Sequence, residues 1–108
     1  MQFLVLTKAA TTNLPPQVTL PLVRQTFEMF LEKREPRIKQ NFQFAGERAG
    51  ATIIEAGSAE ELSDIIASLP FSGVVDVSIH PLTTVEQALK VVKQAEQRVA
   101  QMTPAMGR

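Results

Sequence analysis

Apolar side chains in this chain follow two periods that alternate along the sequence. Some short segments alternate apolar and polar residues, as a strand with one buried face does, and Phe3–Leu6 is an apolar run too short for a stable helix. Longer segments repeat apolar residues every three or four positions, as an amphipathic helix does. The strand pattern covers residues 2–8, 37–45, 51–56 and 74–80. Helical patterns lie between the first two strands, between the last two and after the fourth, so the predicted order is β-α-β-β-α-β plus one further helix.

The first predicted helix has clear start and stop signals. Thr19 can cap it, and Pro21 is tolerated because proline fits the first turn. The helix is predicted to end at Glu35, since Pro36 disfavours helical backbone in the residue before it. Its apolar stripe consists of Leu20, Val23, Phe27, Phe30 and Leu31.

The other two predicted helices are marked by capping residues. Ser58 and Glu61 form a capping box, and Pro70 stops the second helix. Its stripe consists of Leu62, Ile65, Ile66 and Leu69. Either Thr83 or Thr84 caps the third helix, because a Glu or Gln follows each of them three residues later. The third stripe consists of Val85, Ala88, Leu89, Val92, Ala95 and Val99.

This order of elements is that of the α+β ferredoxin-like plait. We expect a single domain over residues 1–108, with its core in 2–82, a C-terminal helix over about 84–101 and a frayed tail in 103–108. Right-handed crossovers place both main helices on one face of a four-stranded antiparallel sheet.

The second face of that sheet is predicted to be apolar and open. Its strands carry Leu4, Leu6, Ile53 and Ile54. Burial of apolar surface is favourable by about 25 cal/mol per Å², so a third helix or a second subunit must cover this face. We expect a homodimer or a higher homo-oligomer, with the third helix packed on its own domain or across the dimer.

The phenylalanines are predicted to be core residues rather than a ligand cage. Period two places Ile38, Gln40, Phe42 and Phe44 on one face of the second strand. The predicted core phenylalanines are Phe27, Phe30, Phe42, Phe44 and Phe71.

Composition excludes several classes of function. Eleven basic residues balance eleven acidic ones, so the chain lacks the basic face of a nucleic-acid binder. The absence of cysteine excludes disulfides and thiolate chemistry, and one histidine cannot form a multi-histidine metal site. The apolar runs are too short to span a bilayer, and the first residues do not resemble an export signal. We therefore expect a cytoplasmic protein that binds neither membranes nor nucleic acid.

One third of the chain carries motifs of a known family. Residues 46–62 read GERAGATIIEAGSAEEL, and Ser68-Leu69-Pro70-Phe71 precedes a strand that ends in Pro81-Leu82. The muconolactone isomerase family has a strand here, a Ser-x-x-Glu-Leu helix start, Ser-Leu-Pro-Leu/Phe, and a strand ending in Thr-Pro-Leu. Residues 46–82 therefore resemble that family.

The resemblance implies a dimeric α+β barrel, in which two plaits pair their open sheet faces and an apolar pocket lies between sheet and helices. It also implies an isomerase that moves a proton within an unsaturated lactone, with no metal and no organic cofactor. The sequence departs from the family in having no Trp or Tyr, in placing His80 before Pro81, and in adding a third helix.

The resemblance and the chemistry together suggest a base and a charge partner. A proton shift needs a base near the acidic C–H and a donor for the enolate. Glu55 stands where the family has an acidic residue and is the predicted base. Arg24 aligns with a basic residue of the isomerase helix and is its predicted partner. The alternatives are a solvated strand-end carboxylate and an exposed helix arginine.

His80 is the third candidate catalytic residue. It shares a strand face with Asp76 and Ser78 and can act as acid or base near neutral pH. The alternative is a strand-edge histidine at an interface or in solvent. We do not interpret these three residues as a triad, because side chains on one strand face project in parallel.

Three functions remain open from the sequence. The first is a cofactor-independent isomerase of a small lactone or an apolar-to-acidic ring compound. The second is a non-catalytic module that binds a small ligand or another protein on the same barrel, and the third is a cofactor-free oxygenase. A preformed pocket that contains Glu55 with Arg24 or His80 would favour an enzyme. A pocket filled by phenylalanines, or sealed by the third helix, would favour the module.

Overall fold

The computed structural model describes residues 1–102, and the tail predicted over 103–108 lies outside the described residues. The elements are β1 Gln2–Ala9, α1 Pro16–Leu31, β2 Ile38–Gln43, β3 Ala49–Glu55, α2 Ala59–Ala67, β4 Val75–Pro81 and α3 Val85–Met102. A short 3₁₀ turn, Ser72–Val74, leads into β4. The predicted β-α-β-β-α-β order with a C-terminal helix is confirmed.

The four strands form one antiparallel sheet in the order β2-β3-β1-β4. Helices α1 and α2 cover one face, which we call the helix face. Its main core cluster consists of Phe3, Val5, Ile54, Ala56, Leu62 and Ile65. A second cluster, of Leu69, Phe71 and Val74, packs against α1. This is the ferredoxin-like plait that the element order predicts.

The other face of the sheet, which we call the open face, is not covered by any helix of the described residues. Strand pairing places Leu4 opposite Ile53 and Leu6 opposite Ala51, with all four side chains on this face. Ile54 was predicted here, and that prediction is wrong. Ile54 pairs with Phe3 on the helix face and is fully buried, because neighbouring residues of a strand point to opposite faces.

A β-bulge between Ile38 and Gln40 changes the predicted faces of β2. Ile38 pairs with Ile54 and packs on the helix-face core, whereas Gln40 pairs with Ile53. An inserted residue shifts the alternation by one, so Ile38 does not share the face of Gln40 and Phe42.

The phenylalanines divide between the helix-face core and solvent. Phe30 and Phe71 meet edge to face with ring centroids 6.3 Å apart, and Phe27 packs on the same cluster. Phe42 and Phe44 are exposed on the chain by itself, by 54% and 41%, so their predicted core position is not found within one subunit.

Helix α1 starts earlier and ends earlier than the sequence pattern predicts. It begins at Pro16 after Pro15, since proline at the first helical position loses no hydrogen bond and has a suitable φ. It ends at Leu31 in a Schellman motif, in which Lys33 has φ 53° and the amides of Lys33 and Arg34 bond to Phe30 and Met29. Thr19 therefore lies within the helix, and Pro36 follows the end that the motif has already set.

The predicted caps of α2 and α3 are both present. The hydroxyl of Ser58 accepts the amide of Glu61 at 3.1 Å, while the Glu61 carboxylate accepts the amide of Gly57 at 2.8 Å. Of the two threonines before α3, Thr84 is the cap, and its hydroxyl accepts the amide of Gln87. Helix α2 ends at Ala67, before the predicted stop at Pro70.

Helix α3 extends away from the rest of the domain. None of its residues is buried, and the molecule measures 68 × 29 × 26 Å. Of the two predicted locations, packing on its own domain is not found, and packing across a dimer stays a prediction. Among residues 1–102 no helix has both the length and the apolar character needed to cross a membrane.

Candidate functional site

A cavity of about 430 Å³ lies between α1 and the helix face of the sheet, within the size range of small-ligand sites. It opens at the end of the sheet where β1 and β2 finish and where β3 and β4 begin. The larger apolar side chains of its wall are Leu20, Val23, Phe27, Phe71, Val74 and Val75. The stripe of α1 and the segment that leads into β4 therefore make an apolar chamber next to the core.

The rim of the cavity is polar and carries three charged residues, Lys8, Glu47 and Arg48. The β2–β3 hairpin supplies the last two, and its turn contains Gly46 at φ 83°, a backbone conformation that glycine adopts without strain. The hairpin is tied to β1, because the amide of Ala9 donates to the Arg48 carbonyl at 2.9 Å. The uncharged polar residues of the lining are Thr7, Thr12, Thr19 and Gln43.

The buried hydroxyl of Thr26 fixes the phenylalanine wall of the cavity. Thr26 is fully buried in α1, and its Oγ1 donates to the Leu22 carbonyl at 2.9 Å. The same oxygen accepts the amide of Phe71 at 3.0 Å. This contact joins α1 to the Ser68-Leu69-Pro70-Phe71 motif and sets the position of the Phe71 ring.

Glu55 does not line the cavity. It lies at the far end of β3 on the open face, opposite Gln2, and its Oε1 is 2.6 Å from the amino group of Met1. Lys8, at the cavity rim, is six residues along β1 from Gln2, or about 20 Å at the rise of a strand. Glu55 and the cavity therefore lie at opposite ends of the sheet and on opposite faces of it.

His80 also lies on the open face. It pairs with Leu4 of β1, and its Nε2 is 2.9 Å from the Ser78 hydroxyl. Glu55 and His80 lie two strands apart and two residues out of register, which is about 12 Å between Cα atoms by strand geometry. They share a face, without direct contact, on the sheet that a second copy is predicted to cover.

Arg24 lies apart from the other two candidates. It is on α1, on the opposite side of the sheet, with a side chain that is 62% exposed. Its Nη1 is 2.5 Å from Glu28 Oε1 in an i,i+4 ion pair. The structure therefore does not bring the three predicted residues together in one chain, and their catalytic roles stay predictions.

A charged cluster outside the cavity joins the α1–β2 connection to the start of α2. The Arg37 guanidinium bonds both oxygens of Glu35, at 2.7 and 2.9 Å, and Glu61 at 2.9 Å. The side-chain hydrogen bonds from Arg37 lower the pKa of Glu35 from 4.5 to about 2. They also lower the pKa of Glu61, helped by the Gly57 amide, and the two carboxylates raise the pKa of Arg37.

Replacing Arg37 by methionine is expected to lower the melting temperature more at pH 7 than at pH 2. A carboxylate with a depressed pKa stabilises the fold above its unfolded pKa, and this contribution is lost as pH falls through the folded pKa. The difference between parent and Arg37→Met should therefore narrow between pH 4.5 and about 2. Thermal unfolding followed by circular dichroism across this range measures it.

Arg34→Met is the matched control, since within residues 1–102 the Arg34 guanidinium pairs with Glu32 alone, in an exposed surface contact. It should shift the melting temperature little at any pH. An Arg37→Met difference that is as large at pH 2 as at pH 7 would show that lost packing, not charge, is responsible.

Glu47 and Arg48, the charged pair at the cavity rim, were not predicted as site residues from the sequence. They were interpreted only as part of a connection between strands. One signal was present, because in the predicted plait the β1–α1 and β2–β3 connections meet at the same end of the sheet. A charged pair in the β2–β3 hairpin therefore faces the end at which β1 leads into α1.

Comparison with known proteins agrees with the fold and with the resemblance. The fold is similar to a crystal structure of muconolactone isomerase, with a TM-score of 0.65 and 22% sequence identity over 78% of this chain and 90% of that chain. No curated protein matches the sequence. The model of the muconolactone delta-isomerase family matches residues 1–88. These residues include all the strands, α1, α2 and the start of α3. The chain therefore belongs to the muconolactone delta-isomerase family.

Proposed function

We propose that this protein is a cofactor-independent isomerase that moves a proton within a small unsaturated lactone or related acidic ring compound. The proposal places the ring in the cavity between α1 and the sheet. The observation that carries it is a preformed apolar chamber with a charged rim, in a chain that belongs to an isomerase family. An apolar body with a few polar groups is the usual form of a small-molecule site.

The residues of the rim have the chemistry that a proton shift needs. Glu47 is the carboxylate among the residues that line the cavity, and it would take a proton from one carbon and return it to another. Arg48 would hold the acidic group of the substrate or the enolate oxygen.

We also propose that two copies of the chain assemble through the open face. Leu4, Leu6 and Ile53 lie there together, and a second copy of the same face would bury them. Such a homodimer would also enclose Glu55 and His80 between the two sheets, which is the arrangement in which those two residues could act. We propose that the protein works in the cytoplasm, where a chain without cysteine needs no oxidising compartment.

The test is whether the purified protein converts muconolactone in the presence of a chelator and with no added cofactor. The shift of the ring double bond is the signal that measures the conversion. Leu20→Trp places a bulky ring at a cavity-lining position that is 61% exposed, so the fold tolerates it. We expect it to weaken substrate binding by about tenfold or more, because the added volume competes with the ring.

Leu31→Trp is the matched control, on the same helix, exposed and outside the cavity lining. It should keep the activity of the parent. Saturable binding of the lactone without turnover would favour the non-catalytic binding module instead. Turnover that Leu20→Trp leaves unchanged would move the site from this cavity to the open face.

A further inference from the structure

Helix α3 presents an apolar stripe that the rest of the described chain does not bury. Val85, Leu89, Val91 and Val92 are each more than half exposed, and none of the 18 residues of α3 is buried. A helix of this length is only marginally stable in water without tertiary contacts. The stripe therefore needs a partner surface outside its own domain.

The apolar residues of α3 repeat with a seven-residue period. The first position of the repeat holds Val85, Val92 and Val99, and the fourth holds Ala88, Ala95 and Met102. A strict seven-residue repeat of this kind is the pattern of a helix that winds around another helix. The partner that the pattern predicts is a helix with the same repeat.

The alternation of large and small residues favours antiparallel pairing with a second copy of α3. In a parallel pair Val92 would meet Val92 and Ala95 would meet Ala95. Layers of two larger side chains would then alternate with layers of two alanines, which leave space unfilled between the helices. In an antiparallel pair centred between Lys93 and Gln94, Val92 of each copy meets Ala95 of the other. The same register sets Ala88 against Val99 and Val85 against Met102, so each layer combines a larger and a smaller side chain.

The residues beside the seam suit the same register. Leu89 and Val91 flank the first half of the stripe, and Glu96 and Arg98 flank the second half. Antiparallel pairing places Leu89 next to Glu96 of the other copy, and Val91 next to Arg98. The long charged side chains can then cover apolar neighbours with their stems and keep their charges in water. No like charges face each other across the seam.

We propose that α3 is a self-association helix that pairs with α3 of a second copy in an antiparallel two-stranded coil. This contact is isologous, so one copy's surface is complementary to itself. Most of α3 lies beyond residues 1–88, the segment that matches the isomerase family. The contact is thus separate from the cavity and from the open face of the sheet.

The absence of cysteine makes disulfide trapping specific to introduced pairs. Ala88→Cys and Val99→Cys are prepared as separate full-length variants, mixed, equilibrated and oxidised. The proposed register brings these two positions together, so the mixture should form a cross-linked dimer. Each variant alone should not, because two copies of position 88 lie 11 residues, or about 16 Å, apart along the axis, beyond the reach of a disulfide.

A second measurement separates the seam from the rest of the helix. Ala95→Glu places a charge in the central layers and should lower the assembly mass in sedimentation. Ala100→Glu makes the same change outside the seam, so it should leave the mass unchanged. Circular dichroism confirms that both variants are folded.

Several results would overturn the proposal. Efficient cross-linking of Ala88→Cys alone would indicate parallel pairing. A lower mass for Ala95→Glu without cross-linking in the mixture would show that α3 docks on another surface, such as the open face of the sheet. An unchanged mass for Ala95→Glu, together with no cross-link in the Ala88→Cys and Val99→Cys mixture, would show that the stripe makes no contact between copies.

Discussion

Glu47→Gln is expected to lower turnover of the lactone substrate by at least about 100-fold, the low end for general acid–base catalysis. Glutamine keeps the shape of the side chain but cannot accept a proton from carbon. Because the same group is proposed to remove and return the proton, both half-reactions lose it. Substrate binding should change much less, so the loss should appear in kcat rather than in KM. Steady-state kinetics on muconolactone measures the two separately.

Glu55→Gln is the matched variant, since it makes the same substitution at the base that the sequence analysis preferred. With the ring in the cavity, Glu55 is too far away to act, and this variant should keep the turnover of the parent. A 100-fold loss in Glu55→Gln, with Glu47→Gln unaffected, would place the reaction on the open face. His80→Ala should then lower turnover as well, because His80 lies on that face.

Thr26→Val is expected to lower the free energy of unfolding by about 2 kcal/mol, within the usual cost of leaving a buried donor without an acceptor. Valine matches threonine in shape but removes the oxygen that accepts the amide of Phe71. Phe71 itself is only 5% exposed, so water does not readily replace that oxygen. Urea unfolding at pH 7 measures the change.

Thr26→Ser is the control, since it keeps the hydroxyl and removes one methyl group, worth about 0.8 kcal/mol when buried. It should therefore be more stable than Thr26→Val. If valine proves as stable as the parent, the Phe71 amide has found another acceptor and Thr26 does not position the cavity wall. Because Phe71 forms part of that wall, Thr26→Val should also weaken ligand binding.

The order of the elements could be predicted from sequence because apolar periodicity reports burial directly. Ser58 and Thr84 could be assigned because capping depends on residues close in sequence. The start of α1 was predicted too late because Thr19 was interpreted as the cap, whereas Pro16 already occupies the first helical position. The bulge at Ile38 could not be predicted, since the strand alternation alone does not show where a residue is inserted.

The candidate site was harder to predict than the fold, because a cavity depends on which connections meet in space. The resemblance suggested Glu55 from its place in a motif, and the strand pairing then located it far from the cavity. Glu47 lies in the same motif, only eight positions earlier, but in the hairpin that precedes the other end of β3. Because the backbone of a strand is extended, residues only a few positions apart in sequence lie far apart in space.

The separation of α3 from the core has a consequence for how the molecule responds to dilution. A helix that shares no buried residues with the sheet does not draw its order from the stability of the sheet. If its partner is another copy, mass action sets its order, and the helix frays as the protein becomes scarce. The cavity and its rim lie wholly outside α3 and keep their geometry throughout. Abundance would thus control the assembly of this protein without altering the chamber in which its chemistry is proposed to occur.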